Sequence, residues 1–211
     1  YLPKELPLTE LPDERMMFTL GMYGDGDFFD MKGVVEEFFD QIGMHKKTEY
    51  DPKAGKTFLH PGRQALISYE GEVMGYLGEV HPAVADTYGI GTRAYVAVLD
   101  ILNVVKHASF DRKYEGIAKF PAVNRDISMV VPKEIMVGQI EHMIAQRGGK
   151  ILEHFELFDI YEGDQIERGF KSVAYSLTFR SKEKTLEEAE INGAMNKILN
   201  GLEGIGIQLR K

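Results

Sequence analysis

The chain has 211 residues, 44% of them hydrophobic, which supplies either one sizeable core or two modest ones, and two domains are expected. A formal net charge of -8 argues against a protein that coats nucleic acid indiscriminately, and the absence of cysteine excludes disulfides, thiolate nucleophiles and thiolate metal ligands. The charge is uneven: residues 1–117 carry 12 Lys/Arg against 19 Asp/Glu and residues 118–211 carry 13 against 14, so any surface facing a polyanion is expected in the second part.

The opening YLPKELPLTELPDE has prolines at Pro3, Pro7 and Pro12 among polar residues and no initial Met. It reads as a surface segment or the tail of something larger, and a fragment is expected. No signal peptide and no apolar run of membrane-spanning length appears, so a soluble, cytoplasmic chain is expected. After MMFTLGMY the pattern breaks at Gly24-Asp25-Gly26-Asp27. Val34, Val35, Phe38, Phe39 and Ile42 then share one helical face, with Asp30 as the predicted N-cap and Gly43 near the stop.

Short apolar strands follow at ALISY, VMGYLGEV and AYVAVLDI, the first two joined by Glu70-Gly71 as a tight turn. The result is a mixed α/β layer. Residues 103–119, with the polar stretch Ser109-Phe110-Asp111-Arg112-Lys113, read as a linker or crossover. Domains of 1–112 and 113–211 are expected, with Phe120 and Pro121 closing the edge of the second.

Downstream, ISMVV is a strand, and Val137, Ile140, Ile144 and Arg147 share a helical side that Gly148-Gly149 terminates. ILEHFELFDIY is a strand candidate whose irregular pattern suggests a bulge. KSVAYSLTFR is clearer: Val173, Tyr175, Leu177 and Phe179 alternate with Ala174, Ser176, Thr178 and Arg180. Thr185 with Glu188 predicts a capping box for a helix striped by Ile191, Ala194, Met195, Ile198, Leu199 and Leu202, and IGIQLR supplies a last strand. The order β-α-β-β-α-β is the ferredoxin-like split βαβ arrangement, two helices on one side of a four-stranded antiparallel sheet.

The other side of that sheet is left for a partner. Small residues there permit close approach of single-stranded RNA, and Arg125, Lys171 and Arg180, with nearby Lys150, are the predicted phosphate contacts, with pairing to Asp126 or another carboxylate as the alternative for Arg125. Ser172, Ser176 and Thr178 are further RNA-binding candidates on the sheet. A protein-docking role for the same domain stays open, since this fold serves many unrelated functions.

Elsewhere no catalytic or metal set is predicted. His60 and His81 each precede a proline without a compact ligand set around them, and Asp25, Asp27 and Asp30 lack the remaining ligands of a calcium loop. GMYGDGD lacks the lysine and serine or threonine of a P-loop. Arg63, in His60-Pro61-Gly62-Arg63, is expected to have a structural or subunit-contact role.

Longer segments sharpen this reading. FPAVNRDISMVV, ELFDIYEGDQIERGFKSVAYSLTFRS, KTLEEAEIN and GIQLR resemble the C-terminal anticodon-binding domain of the bacterial phenylalanyl-tRNA synthetase beta-subunit family. DFFDMKGVVEEFF, FLHPGRQALI and GYLGEVHP resemble the catalytic-like region that precedes it in that family. The resemblance implies an α+β chain: a partial synthetase catalytic-like mixed α/β domain, then the ferredoxin-like anticodon-binding domain. It implies an alpha subunit that activates phenylalanine with ATP and Mg2+, phenylalanine tRNA as RNA partner, and an α2β2 assembly in the cytoplasm. This chain would support assembly and position or recognise the anticodon region, while neither charging nor editing tRNA alone and binding no cofactor itself. A scaffold with little independent RNA binding is the alternative.

Overall fold

The computed structural model describes all residues except 1–6, 8, 10, 13, 112, 113, 115, 164 and 211. Much of the proline-bearing opening, and Arg112 and Lys113 of the expected linker, therefore lie outside the described residues. The chain divides into two units, 1–114 and 115–211.

In the first unit, strand β1 (Met17–Tyr23) precedes the glycine-aspartate break, and helix α1 (Phe28–Gln41) follows. The helix is capped by Asp27 rather than Asp30. The Asp27 carboxylate accepts the N–H groups of Phe29 and Asp30 at 2.7 and 2.9 Å, and Asp30 accepts the Asp27 N–H at 2.8 Å. Asp30 thus closes a capping box from its third position. Met31, Val35 and Phe39 form the buried stripe, Phe38 and Ile42 are half-buried, and Val34, expected on that face, points outward.

Strands β2 (Glu49–Asp51), β3 (Leu59–Tyr69) and β4 (Glu72–Val80) follow, then the short helix α2 (Pro82–Thr87), strand β5 (Ala94–Asp100) and helix α3 (Ile101–His107). The sheet order is β1-β5-β4-β3-β2, antiparallel throughout. Ile67, Leu77, Ala97 and Leu99 face α1 across a shared core. Glu70 and Gly71 make the β3–β4 turn with φ of 50° and 80°, both in the left-handed region that a tight hairpin requires. Glu70 pairs with Lys46 and, at 3.4 Å, with His107 Nδ1.

Strand β2 and helices α2 and α3 are additions to the elements predicted from the sequence. The start of the expected 103–119 linker is helical, because the Asp100 carboxylate ends β5 and accepts the N–H groups of Leu102 and Asn103 at 3.2 and 3.3 Å. Arg15 holds that carboxylate in place.

The second unit contains β6 (Val123–Pro132), α4 (Val137–Gly148), a 3-10 turn (Gly149–Ile151), β7 (Leu152–Tyr161), β8 (Phe170–Phe179), α5 (Glu188–Glu203) and β9 (Gln208–Leu209). Gly149, at φ 68°, stops α4. The strands are antiparallel in the order β7-β8-β6-β9, which gives the four-stranded ferredoxin-like layer. Thr185 is not the cap of α5; that position is Glu187, whose N–H is accepted by the Glu190 carboxylate at 3.1 Å.

Val173, Tyr175, Leu177 and Phe179 of β8 are fully buried and meet Ile140 and Ile144 of α4 and Ile191, Ile198 and Leu202 of α5. Burial of each large side chain contributes about 1.5–3 kcal/mol, so this face holds both helices against the sheet. Tyr175 Oη donates to Glu141 at 3.3 Å; burial first, and then the Glu141 charge, push its phenol up and keep the proton on. Among the described residues, no helix is long and apolar enough to cross a membrane.

Candidate nucleic-acid interface

Because β8 turns its odd-numbered side chains to the helices, its even-numbered ones occupy the opposite face. Register with β6 and β7 then sets out four cross-strand rows. They are Asn124–Thr178–His154, Asp126–Ser176–Glu156, Ser128–Ala174–Asp159 and Val130–Ser172–Tyr161. The central strand β8 carries only Ser, Ala, Ser and Thr in these rows, while longer side chains, Ser128 apart, stand on either side. The face is a shallow trough, floored by hydroxyl and methyl groups and walled by polar groups except at Val130.

The bulge in β7 matters to this arrangement. Phe155 and Leu157 pack on the helix side, and strict alternation would send Asp159 and Tyr161 there too. A register shift between Leu157 and Asp159 inverts the phase, so Asp159 stands opposite Ala174 and Tyr161 opposite Ser172 on the open face. Tyr161 is 39% exposed, whereas Ser172 beside it is 4% exposed. A Cβ on Gly163 would come within 2.2 Å of Tyr161 Oη, so the glycine leaves room for the ring.

The six residues predicted to contact RNA do not gather on one face. Ser172, Ser176 and Thr178 lie in the trough. Arg180 immediately follows β8 at the end of the trough; its Nη1 pairs with Glu153 at 3.1 Å and its backbone N–H donates to the Ile151 carbonyl at 2.8 Å. Lys171 has the parity of Val173, towards the helix side, with its Nζ 3.5 Å from the Lys133 carbonyl oxygen.

Arg125 takes the alternative arrangement, pairing with a carboxylate. It shares the parity of Ile127 and Met129, and its Nη2 meets both oxygens of Glu188 at the start of α5, at 2.8 and 2.9 Å. The guanidinium therefore fastens a helix on the covered side. No Lys or Arg stands in the four rows, and the trough instead presents Asp126, Glu156 and Asp159. Carboxylates accept hydrogen bonds from amino and imino groups of bases and repel phosphate. The trough thus suits base edges, with cations confined to its rim.

In the first unit, Arg63 Nη1 lies 3.0 Å from each oxygen of Glu79, which is 4% exposed. Tyr95 Oη donates to the same carboxylate at 3.2 Å, and burial, then Glu79, push the Tyr95 phenol up. Glu79 is thereby satisfied on both oxygens, a structural arrangement. His60 Nδ1 accepts the Gly62 N–H at 3.1 Å, and His81 Nδ1 caps α2 through the Ala83 N–H at 3.2 Å. Among the described residues, no group of three or more His, Asp or Glu is placed to hold a metal ion.

Comparison with known proteins matches these two units to two family models. Residues 1–101 match the phenylalanyl tRNA synthetase beta chain CLM domain, and residues 118–210 match the ferredoxin-fold anticodon binding domain. The phenylalanine–tRNA ligase beta subunit of Clostridium acetobutylicum is 43% identical over 211 residues, 100% of this chain and 26% of that protein. That of Clostridium tetani is 41% identical over 95% of this chain and 25% of its own length, and that of Bacillus subtilis 39% identical over 84% and 22%. This chain therefore spans about a quarter of the length of the curated relatives it matches. With both segments matched in the order in which the chain carries them, the chain belongs to the phenylalanyl-tRNA synthetase beta-chain family.

Proposed function

We propose that this chain is part of a beta subunit of phenylalanine–tRNA ligase, and that its second unit positions and recognises the anticodon region of phenylalanine tRNA during ATP-dependent phenylalanylation. The first unit contributes to assembly with the alpha subunit in a cytoplasmic α2β2 enzyme. The alpha subunit carries the chemistry that uses ATP and Mg2+, and no residue here is assigned to either.

The observation that carries the reading is the trough itself. Its floor allows a base to lie against β8 at Ser176 and Thr178, where the strand is partly exposed, Tyr161 offers a stacking surface, and Asp126, Glu156 and Asp159 accept from base amino and imino groups. Ser176 and Thr178 line the open part of the floor, Ser172 lies covered beside Tyr161, and Arg180 at the end of the trough is the nearest of the predicted phosphate contacts, Lys171 lying towards the helix side. Arg125 is assigned to holding α5.

The test is binding of the folded chain to phenylalanine tRNA and to an anticodon-altered control, at low and near-physiological salt. Preferential binding of the matched tRNA is expected. A folded chain that binds neither RNA refutes independent recognition and favours the second reading, a protein-interaction scaffold, which the carboxylates of the trough also suit.

A further inference from the structure

We propose that Phe170 is a second base-stacking position on the open face of the second unit, so that this face takes two consecutive unpaired nucleotides, one base on Tyr161 and its neighbour on Phe170. The proposal deepens the RNA reading and rests on it. It starts from one further row of the sheet. The pairing of β6 with β8 runs past Val130 and Ser172 to Pro132 opposite Phe170. Val131 and Val173 are fully buried towards the helices, so Pro132 and Phe170 fall on the open face with Ser172. Val130 and Phe170 are half-buried, and neither packs in the helix-side core. Beyond Ser172 the polar face thus turns apolar.

Tyr161 stands opposite Ser172, and Phe170 lies two residues before Ser172 on its strand. Diagonal neighbours of this kind have β-carbons roughly 7 Å apart, within reach of aromatic rings. The Tyr161 Oη reaches Gly163, whose missing Cβ leaves it room. Continuing the β7–β8 register by two residues sets Gly163 level with Phe170, so the Tyr161 ring leans towards the Phe170 end of the face. The backbone there is held on two sides: Phe170 N–H donates to the Glu167 carbonyl at 3.0 Å, and Lys133 N–H donates to the Gly169 carbonyl at 2.9 Å. A ring on so fixed a backbone loses little freedom when a base covers it.

Charge at this end points to a nucleotide. Glu162, next to Tyr161, pairs with Lys133, and Lys171 Nζ lies 3.5 Å from the Lys133 carbonyl oxygen. The hydrogen bond from Lys133, opposed by desolvation, and then the charges of Lys133 and Lys171 hold the Glu162 carboxyl below its usual range. Two cations thus share one carboxylate here, whereas the rows running towards Thr178 carry Asp126, Glu156 and Asp159. The phosphate joining the two nucleotides is assigned to the half-exposed Lys133, which the sequence reading did not select.

Fluorescence anisotropy with labelled phenylalanine tRNA tests the proposal, with circular dichroism as the folding control. Phe170→Ala is expected to weaken binding about tenfold, in the lower part of the range for one stacked base, and to leave the salt slope unchanged. Phe170→Tyr is expected to stay within about twofold of the parent, and Lys133→Ala to lower the salt slope by about one. The losses from Phe170→Ala and Tyr161→Ala are expected to multiply in the double variant, because the two rings hold different bases. A folded Phe170→Ala chain that binds within twofold of the parent, while Tyr161→Ala loses affinity, overturns the second position and leaves the RNA reading standing. A double variant no weaker than Tyr161→Ala also overturns it, since one base then spans both rings. A folded parent chain that binds no RNA refutes the underlying reading and the proposal with it.

Discussion

Replacing Tyr161 with alanine isolates the stacking surface of the trough. About 39% of this side chain is open to solvent. A buried aromatic covers roughly 200 Å2, so the open share is about 80 Å2. At about 25 cal/mol per Å2, covering it with a base contributes about 2 kcal/mol. That falls within the roughly 1–3 kcal/mol measured for base–aromatic stacking. Tyr161→Ala should therefore weaken binding of phenylalanine tRNA about 30-fold, at 1.4 kcal/mol for each factor of ten. Tyr161→Phe should stay close to the parent. Fluorescence anisotropy titrations across a salt series, with circular dichroism as the folding control, measure the effect. The slope of log K against log salt should not change, because no phosphate contact is removed. A folded Tyr161→Ala chain that binds within twofold of the parent refutes the placement of a base on this ring.

Gly163→Ala should produce a smaller loss of RNA affinity, since the new Cβ forces the Tyr161 ring aside without deleting it; the same titrations detect it. Arg180→Ala should lower the salt slope by about one, as loss of a single phosphate contact predicts. Arg125→Ala should leave that slope unchanged and cost the second unit about 1 kcal/mol in urea unfolding, as expected for a partly exposed ion pair. Asp100→Ala should remove about 0.5–2 kcal/mol through loss of the α3 cap. Burial opposes ionisation of Asp100, but Arg15 and the N–H groups of Asn103 and Leu102 outweigh it and hold the carboxyl below its usual range. Its contribution is therefore present above about pH 4, the unfolded value, and lost as pH falls through the lower folded value. Acid unfolding of the parent should show that loss, and Asp100→Ala should lack it.

The alternation of Val173, Tyr175, Leu177 and Phe179 was enough to orient β8 and to identify which of its faces is covered. The same alternation already placed Lys171 on the helix side, and parity with Ile127 and Met129 did so for Arg125. Net charge drew attention to those cations, but side-chain phase decides where they go. Asp159 and Tyr161 were hidden for a different reason. Their placement depends on one register shift, and a bulge moves side chains across a sheet without changing which residues are present. The Arg63–Glu79 pair was equally invisible, because residues 16 apart meet only once the β3–β4 register is known. Asp30 reads from the sequence as the cap itself, and only coordinates show it in third place behind Asp27.

The β3–β4 hairpin has one further consequence. Among the described residues, Glu70 is the only non-glycine with a positive φ. Glycine at that position would relieve the backbone but release Lys46 and His107 from its carboxylate. Those two partners come from the segment after α1 and from the last residue of α3, while Lys46 N–H also donates to Tyr69 Oη at 3.0 Å. The turn thus works as a clasp: a locally unfavourable dihedral is tolerated because the side chain it presents gathers two distant stretches of chain. Improving this hairpin in isolation would loosen the surroundings it binds together.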